Sequence, residues 1–252
     1  DDSTDVSKDY TEQLTQDLKK KGFNAKYIHR INRKNFKAGA LKEGMEIAEG
    51  EFVAIFDADF LPQKDWLRKT IPHFNSPEIG VVQTRWGHVN KNYSILTKIQ
   101  AFALDFHFVI EQVGRSHGGH FINFNGTAGV WRKTCITDAG NWQGDTLTED
   151  LDLSYRAQLK KWKFTYLKDV VTPAELPVVL SAARSQQFRW NKGAAENFRK
   201  NFSSIYSSSK LSGNSKLHGF FHLLNSSMFL LILMVAVLSI PVLYIKFQQQ
   251  SW

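Results

Sequence analysis

The sequence predicts an α/β domain in which helices flank a mostly parallel sheet. The chain has 252 residues and 42 % hydrophobic content, which suits one sizeable α/β domain with some further structure. The apolar run over 52–56 is bounded by acidic residues, as in a strand buried on both faces. Around it, candidate strands and helices alternate at the intervals of βαβ units, whose strands are parallel.

The individual elements follow from turn residues and from apolar spacing. Gly22 closes the first helix, and Leu41, Met45 and Ala48 recur at helical spacing in the second. In chain order, we predict a helix over 10–21, a short strand over 24–29, a helix over 36–48, the strand that ends at 57–59, a helix over 65–74, a strand over 79–86, a long aromatic helix over 93–113, a strand over 121–124, a helix from 148 to 160 and a strand over 162–167.

Two acids, Asp57 and Asp59, directly follow the apolar run. In open α/β sheets, ligands bind just outside the carboxyl ends of the strands, so this pair lies where a site is expected. Carboxylate oxygens are ligands that Mg²⁺ and Mn²⁺ prefer, especially beside a phosphate-bearing substrate. An Asp-rich turn without chemistry is the simpler alternative, and the pair alone does not decide between the two.

The charge balance favours anionic partners. The chain carries 32 Lys and Arg against 24 Asp and Glu, a formal net charge of +8. Nucleotide phosphates, anionic lipid and nucleic acid all suit such a chain. A basic block without acids runs from Lys26 to Lys42, just before the candidate metal pair. The single cysteine, Cys135, excludes an intrachain disulfide and a cysteine-based zinc site.

The C-terminal part of the chain has a membrane-associated pattern. Aromatic and basic residues are mixed over 176–216, which is typical of an amphipathic helix at a membrane surface. The stretch 228–245 is almost purely apolar and long enough to span a bilayer, where Pro241 is tolerated better than in a soluble helix. A buried core helix is the alternative. The basic flank predicts that the preceding domain faces the cytosol.

Polar clusters follow several predicted strands, and each alone has a structural explanation such as a turn or a helix N-terminus. In order they are Asp1-Asp2-Ser3-Thr4-Asp5, Lys37-Ala38-Gly39-Ala40-Leu41, Phe56-Asp57-Ala58-Asp59, Gln83-Thr84-Arg85-Trp86, Phe124-Asn125-Gly126-Thr127-Ala128-Gly129, Thr148-Glu149-Asp150 and Gln186-Gln187-Phe188-Arg189-Trp190. Together they resemble the processive family 2 glycosyltransferases, the membrane-embedded synthases of cellulose, mannan, hyaluronan and related polymers. Within that family they are most similar to the plant cellulose-synthase-like glucomannan and xyloglucan-backbone synthases and their bacterial relatives.

The resemblance implies a GT-A-like fold and a division of the chain into three parts. These are a catalytic domain over 1–175, an amphipathic interfacial region over 176–216 and a transmembrane helix over 217–247. The sequence lacks an initiator Met, a signal-peptide pattern and the family's first strand, so we expect a fragment of a longer protein. The expected location is a membrane with the catalytic domain in the cytosol: the bacterial inner membrane, or the Golgi or plasma membrane of a eukaryote.

The resemblance also implies a donor site for a nucleoside diphosphate sugar, a UDP- or GDP-hexose. The base or ribose would bind near Asp1 and Asp2, and the diphosphate near Lys37. The cofactor would be Mg²⁺ or Mn²⁺, with Asp59 as the closer ligand. Asp57 would share in metal binding or support the donor sugar or ribose.

Catalysis and acceptor binding are assigned to later motifs by the same resemblance. Asp150 would be the general base of a single displacement that inverts the anomeric centre, with Glu149 as the rival base. Arg189 would contact the diphosphate, whereas Gln186 and Trp190 would meet the growing polysaccharide. The acceptor site would also include Asn125, Gly126 and Thr127. Three tryptophans, Trp86, Trp131 and Trp142, are either sugar-lining residues or, more commonly for this residue type, core residues.

Two other functions stay open on the sequence. Asp150 with an acid of the 57–59 pair has the chemistry of a glycoside hydrolase. A non-catalytic, membrane-tethered module that binds anions is the second alternative. The basic block and the membrane span argue against the hydrolase, and the sequence has no recognisable nucleic-acid-binding motif. The expected partners are therefore a nucleoside diphosphate sugar, a polysaccharide acceptor and the lipid bilayer, with no nucleic acid.

Overall fold

The computed structural model describes residues 2–250 and contains the predicted α/β architecture. The strands are β1 (Phe52–Ile55), β2 (Ile79–His88), β3 (Gly129–Arg132) and β4 (Lys163–Ala174). The α-helices are α1 (Ser7–Lys20), α2 (Phe36–Ile47), α3 (Trp66–Thr70), α4 (Ile95–Phe106), α5 (Gln112–His117), α6 (Lys133–Asp138), α7 (Glu149–Leu159), α8 (Leu180–Ser207), α9 (Gly213–Leu223) and α10 (Met228–Gln250). A π-helical turn, His107–Glu111, joins α4 to α5, and 3-10 turns, Ile71–His73 and Asn225–Ser227, follow α3 and precede α10.

The sheet has the strand order β1-β3-β2-β4. β2 and β4 pair in parallel, whereas β3 pairs antiparallel with both β1 and β2. β1, β2 and β4 therefore point the same way, and β3 runs against them. The expectation of a mostly parallel sheet holds for strand direction. It needs correction for pairing, because both pairings of β3 are antiparallel.

The reversal of β3 follows from the turn before it. Gly126 and Ala128 have positive φ values of +80° and +53°. The Ala128 N–H donates to the Ile55 carbonyl at 2.8 Å, and the Ala128 carbonyl accepts from the Thr84 N–H at 3.1 Å. These bonds hold a backbone conformation that an alanine rarely adopts. The chain thus enters the sheet beside the carboxyl end of β1 and the middle of β2, where Gly129 pairs with Ile55 and Gln83, and runs back between the two strands.

Two predicted strands, over 24–29 and 121–124, have no regular secondary structure in the described chain. The backbone of the second segment pairs with α7 side chains instead of a strand. Gln158 bonds both the N–H and the carbonyl of Ile122, and Ser154 Oγ accepts from the Phe124 N–H at 2.9 Å. The strand of this region forms later, as β3, where a neighbouring strand supplies backbone partners.

The main hydrophobic core lies between the sheet and helices α2, α6 and α7. Its buried members are Ala38, Met45, Ile55, Val81, Phe124, Trp131, Cys135, Ile136, Ala139, Trp142, Leu153 and Ala157. Two of the three candidate sugar-lining tryptophans belong to this core, so their large apolar surfaces pack against the protein and not against a ligand. Burial also raises the pKa of the Cys135 thiol, which makes it unreactive.

The helices at the C-terminus separate into a packed part and an exposed part. α8 packs against α7 and α9, and Gly219 and Leu223 of α9 are buried. The residues over 217–223 thus belong to α9, and the apolar helix starts only at Met228. Met228–Gln249 is long and apolar enough to cross a membrane by length and composition, and none of its apolar window is buried within the described residues. A buried core helix, the alternative for this stretch, does not agree with that exposure.

Candidate active site

The carboxyl end of β1 holds the first part of the candidate site. Lys37, in the first turn of α2, donates from Nζ to Asp57 Oδ1 and, at 2.9 Å, to the Gly126 carbonyl. The backbone N–H of Asp57 donates to Thr127 Oγ1 at 2.8 Å. The Asp57 side chain nevertheless keeps 43 % of its surface exposed. The Lys37–Asp57 ion pair is thus fixed by the protein and still accessible to a ligand.

Asp59 lies two residues further along the chain and is exposed to solvent. Over residues 2–250, its carboxylate makes no hydrogen bond or ion pair. No group of three or more His, Cys, Asp or Glu side chains in that range is arranged to hold a metal by itself. Two accessible carboxylates suit a cation that takes its remaining ligands from water and substrate phosphates. The oxygens of Asp57 and Asp59 therefore fit Mg²⁺ or Mn²⁺.

The predicted base lies at the start of α7. Asp150 Oδ1 accepts a hydrogen bond from the Leu151 N–H at 2.8 Å. A Cβ added to Gly126 would lie 3.1 Å from Asp150 Oδ2 and 3.7 Å from Lys37 Nζ. The Gly126 turn is therefore the point where α7, α2 and the end of β1 meet. Asp150 and the Lys37–Asp57 pair, which come from distant parts of the sequence, are brought together there.

The charges of the site act on one another. Burial raises the pKa of Asp150 to about 7, and the negative charge of Glu149 adds to the effect. Burial also raises the pKa of Glu149, with a further contribution from Asp57, whereas Lys37 and Arg189 oppose it. Arg189 on α8 thus acts on the carboxyl group of Glu149. Perturbed carboxyl groups in a cleft are typical of acid–base sites.

The predicted α8 motif lies in the first half of that helix. Arg189 is exposed, and Gln186 and Trp190 are half-buried. The ring of Trp190 lies 6.4 Å from that of Trp86, at the end of β2. Trp86 also packs against Phe60 and Phe108, with ring centroids 5.3 and 5.2 Å away. Trp86 is therefore half-buried among aromatic rings, and its contact with a sugar stays a prediction.

The predicted nucleoside acids are only partly described. Asp1 lies outside the described residues. Asp2 is bound through both carboxylate oxygens by Arg30, whose Nε donates to Oδ1 at 2.7 Å. The Arg30 hydrogen bond lowers the pKa of Asp2. Arg30 is 6 % exposed and was not predicted as a site residue. The sequence marks Arg30 only as one member of a basic block, and the block does not show which of its side chains is buried.

Gly39 provides the space for this Arg30 contact. A Cβ at Gly39 would lie 2.2 Å from the Lys34 carbonyl oxygen and 2.4 Å from Arg30 Nη1. Gly39→Ala is therefore expected to destabilise the protein by about 1–3 kcal/mol, measured as a lower apparent Tm. Gly44→Ala is the matched control on the same helix, where a Cβ meets no heavy atom within 4 Å. It should stabilise α2 by up to about 1 kcal/mol. Equal Tm changes in the two variants would contradict this packing.

Two residues predicted to bind the acceptor make internal contacts instead. Asn125 Oδ1 accepts from Gln112 Nε2 at 3.1 Å, and its Nδ2 is 3.2 Å from His107 Nε2. Thr127 Oγ1 is occupied by the Asp57 N–H, and Thr127 is fully buried. Both side chains hold the turn around Gly126 in place, and their contact with an acceptor stays a prediction. His107 and Gln112 were missed, because only the π-helical turn and its continuation bring them to this loop.

The comparison with known families decides the class of the protein. Residues 5–193 match the family model described as Glycosyltransferase like family 2. The chain belongs to glycosyltransferase family 2. The matched range contains the predicted site residues from Lys37 to Trp190 and leaves out Asp1 and Asp2. The resemblance inferred from the sequence motifs is confirmed.

This family 2 chain has close relatives among plant enzymes. Glucomannan 4-beta-mannosyltransferase 1 of Oryza sativa subsp. japonica is 47 % identical over 223 residues, which cover 86 % of this chain and 43 % of that protein. The protein of the same name from Cyamopsis tetragonoloba is 47 % identical over 205 residues, covering 79 % of this chain and 39 % of the relative. The chain spans less than half the length of these relatives.

Solved structures with the same fold are more distant in sequence. The mannosyltransferase from Pyrobaculum calidifontis in complex with GDP-Man and Mn²⁺ aligns with a TM-score of 0.63 at 18 % identity, covering 94 % of this chain and 69 % of that one. S. aureus TarS 1-349 in complex with UDP-GlcNAc aligns with a TM-score of 0.59 at 17 % identity, covering 89 % and 61 %. At these identities the likeness shows the fold alone. It confirms the GT-A-like architecture of this family 2 chain.

Proposed function

We propose that the whole protein is a membrane-bound inverting glycosyltransferase that moves a hexose from a nucleoside diphosphate sugar to a growing β-linked polysaccharide. The observation that carries the proposal is the meeting of Lys37, Asp57 and Asp150 around the Gly126 turn. A cation for the diphosphate, an acid for a metal and a carboxyl base lie together there. These are the groups that can take the acceptor proton and stabilise the charge on the leaving diphosphate.

In this proposal, Asp59 and Asp57 hold Mg²⁺ or Mn²⁺ beside the donor. When bound, the ion supplies Lewis-acid stabilisation of the negative charge on the leaving diphosphate. Lys37 and Arg189 add positive charge on either side of the cleft, and the planar guanidinium suits phosphate oxygens. Asp2, oriented by Arg30, accepts hydrogen bonds from the nucleoside. Asp1 is assigned to the nucleoside by resemblance only.

Asp150 is the proposed general base. The acceptor hydroxyl attacks the anomeric carbon, its proton passes to the Asp150 carboxylate, and the bond from that carbon to the diphosphate oxygen breaks. The nucleoside diphosphate leaves with the electron pair. A single displacement converts an α-linked donor into a β-linked product. Trp190 and Trp86 offer aromatic surface to the apolar face of the acceptor sugar, and Gln186 offers a hydrogen bond.

The relatives supply the first donor to test. Their names describe transfer of mannose into glucomannan, and the Pyrobaculum calidifontis enzyme was solved with GDP-Man and Mn²⁺. We therefore place GDP-mannose first among the donors, with a mannan-type acceptor. The finer choice of sugar and metal rests on these similarities and not on a contact in this chain.

The proposed membrane arrangement follows from the C-terminal part of the chain. The catalytic domain over 1–175 lies in the cytosol, α8 carries the interfacial motif, and α10 spans the bilayer. The apolar length of α10 and the basic residues before it support this orientation. A bacterial inner membrane and a eukaryotic Golgi or plasma membrane both fit.

A donor screen on the full-length protein in its membrane tests the function. Release of nucleoside diphosphate is measured across GDP- and UDP-hexoses with Mg²⁺ or Mn²⁺, and the polysaccharide product is identified by digestion with linkage-specific glycosidases. We expect metal-dependent release with one donor and a β-linked product. Cleavage of an oligosaccharide without any nucleotide sugar would instead establish the glycoside hydrolase. Binding of the donor without any turnover would indicate a non-catalytic, membrane-tethered module.

Acidification should inactivate the enzyme near neutral pH. Asp150 acts as a base only when deprotonated, and its pKa is raised to about 7 from an ordinary 3.8. Below that pH, the deprotonated fraction and hence kcat/KM should fall about tenfold per pH unit, with a plateau above it. The profile is measured between about pH 5 and pH 9 with excess Mn²⁺, so that metal loss does not limit the rate. A rate that stays flat through neutral pH would contradict this role.

A further inference from the structure

One face of α8 packs against residues 145–148, the segment that directly precedes Glu149 and the predicted base Asp150. The face consists of Gly193, Glu196, Asn197, Lys200 and Asn201, which we call the α8 seam. Asn197 is fully buried, and its Nδ2 donates to the Thr148 carbonyl at 3.1 Å and to Thr148 Oγ1 at 2.9 Å. Thr148 is the N-cap residue of α7, yet its hydroxyl does not cap that helix. The Thr148 hydroxyl is therefore bonded to α8 instead of to its own helix, while its carbonyl also accepts from the Asp152 N–H at 3.2 Å and from Thr146 Oγ1 at 3.3 Å.

The approach of the two elements at Thr148 is close. A Cβ at Gly193 would lie 2.4 Å from Thr148 Oγ1 and 2.5 Å from its Cγ2. Glycine at this position lets the α8 backbone contact the Thr148 side chain directly. Asn197 lies one helical turn further along and also donates to the Gly193 carbonyl at 3.0 Å. Its amide is thus oriented from its own helix before it reaches Thr148.

Other seam residues hold the chain on either side of Thr148. Glu196 Oε2 accepts from the Leu147 N–H at 2.8 Å. Lys200 Nζ lies 2.7 Å from Asp145 Oδ1 and 3.1 Å from Asp152 Oδ1, and the Asp152 side chain is fully buried. The residues before and after the base are therefore tied to the same helix face. Motion of the Asp150 turn relative to α8 would break several of these bonds together.

The α8 seam lies on the same helix as the residues predicted to bind the diphosphate and the acceptor. Arg189 and Trp190 lie within about one turn before Gly193, because a helix turn holds 3.6 residues. We propose that Asn197 is a positioning residue, which acts through Thr148 to set Asp150 against the groups bound by Arg189 and Trp190. This inference rests on the proposed function. Arg189 and Trp190 of α8 and the base then form one rigid unit, and Lys37 and Asp57 form the other.

This role predicts a specific kinetic effect. Neither Lys37 nor Asp57 makes a hydrogen bond or ion pair with α8 over residues 2–250. Arg189 lies on α8 itself, so loss of the Asn197 contact should displace Asp150 and leave all three donor residues in place, with donor KM unchanged. A small displacement of the base should lower kcat by about 10²-fold. A general loss of folding would instead lower the amount of active enzyme, or change both constants.

The test uses the full-length protein in its membrane with Asn197→Ala and the nearly isosteric Asn197→Asp, whose carboxylate cannot donate to the Thr148 carbonyl. Asn191→Ala is the matched control, because Asn191 lies on the same helix and its side chain bonds only the Gln187 carbonyl among the described residues. Active-site concentration and apparent Tm are measured for each variant. We expect both Asn197 variants to lose kcat at constant donor KM, and Asn191→Ala to match the wild type.

Combination with Asp150→Asn shows whether Asn197 acts through the base. If it does, Asn197→Ala should cause little further loss of the residual rate in the Asp150→Asn protein. An equal loss with and without Asp150 would overturn the inference, and so would wild-type kcat in both Asn197 variants. Either result is distinct from failure of the proposed function, in which the wild-type protein itself releases no nucleoside diphosphate.

Discussion

Asp150→Asn is expected to lower the rate of hexose transfer by about 10²–10⁴-fold, the usual contribution of a general base. The amide keeps the size of the side chain, and its oxygen can still accept from the Leu151 N–H, a bond of 2.8 Å in the wild type. The start of α7 should therefore keep its shape. The variant loses only the capacity to take the proton of the acceptor hydroxyl. Nucleoside diphosphate release is measured at saturating donor, and donor KM should not change.

Two companion variants make this result specific. Asp169→Asn makes the same chemical change on a side chain that is 94 % exposed, and it should keep the wild-type rate. Glu149→Gln removes the rival base. Because the charge of Glu149 raises the pKa of Asp150, this variant should shift the acidic limb of the pH profile to lower pH. A larger loss of rate in Glu149→Gln than in Asp150→Asn would reassign the base.

Asp59→Asn is expected to remove most of the metal-dependent activity. An amide oxygen is a weaker ligand than a carboxylate, and the metal contributes several kcal/mol to stabilisation of the leaving diphosphate, so turnover should fall by about 10²-fold or more. Mn²⁺ affinity should fall as well. It is measured by Mn²⁺ electron paramagnetic resonance on the full-length protein with donor present, which reports binding independently of turnover.

A nearby acid supplies the control for the metal prediction. Asp65→Asn changes an exposed carboxylate between β1 and α3 that pairs with Lys69 at 2.9 Å. It should leave both Mn²⁺ affinity and turnover unchanged. If Asp59→Asn bound Mn²⁺ as tightly as the wild type, Asp59 would not be a ligand. Asp57→Asn is then the next variant to examine, although it also removes the partner of Lys37.

The candidate site could be predicted from local patterns to a large extent. The apolar run of β1 ends at two acids, and Thr148 begins a helix whose first turn is acidic, so strand ends and helix starts identify Asp57, Asp59 and Asp150. These signals depend on neighbours in the chain. For the same reason, the helix α2 and the strand β2 were predicted with only small errors at their ends.

Other parts depended on contacts that local patterns do not contain. The strand predicted over 121–124 failed because α7 side chains bond its backbone. Asn125 and Thr127 were assigned to the acceptor, and their polar atoms are occupied inside the protein. Arg30 was one cation among many in a basic block. Nothing near it in sequence indicated that it would be buried against Asp2.

The sequence by itself determined the family, the chemical groups at the ends of its elements and the apolar helix α10. Only the tertiary structure decided which groups meet: Lys37 with Asp57, Asp150 with the Gly126 turn, and Asn197 with Thr148. Each of these contacts joins residues far apart in the chain. They form because the elements pack closely, so that each side chain can contact only the neighbours that the whole fold brings beside it.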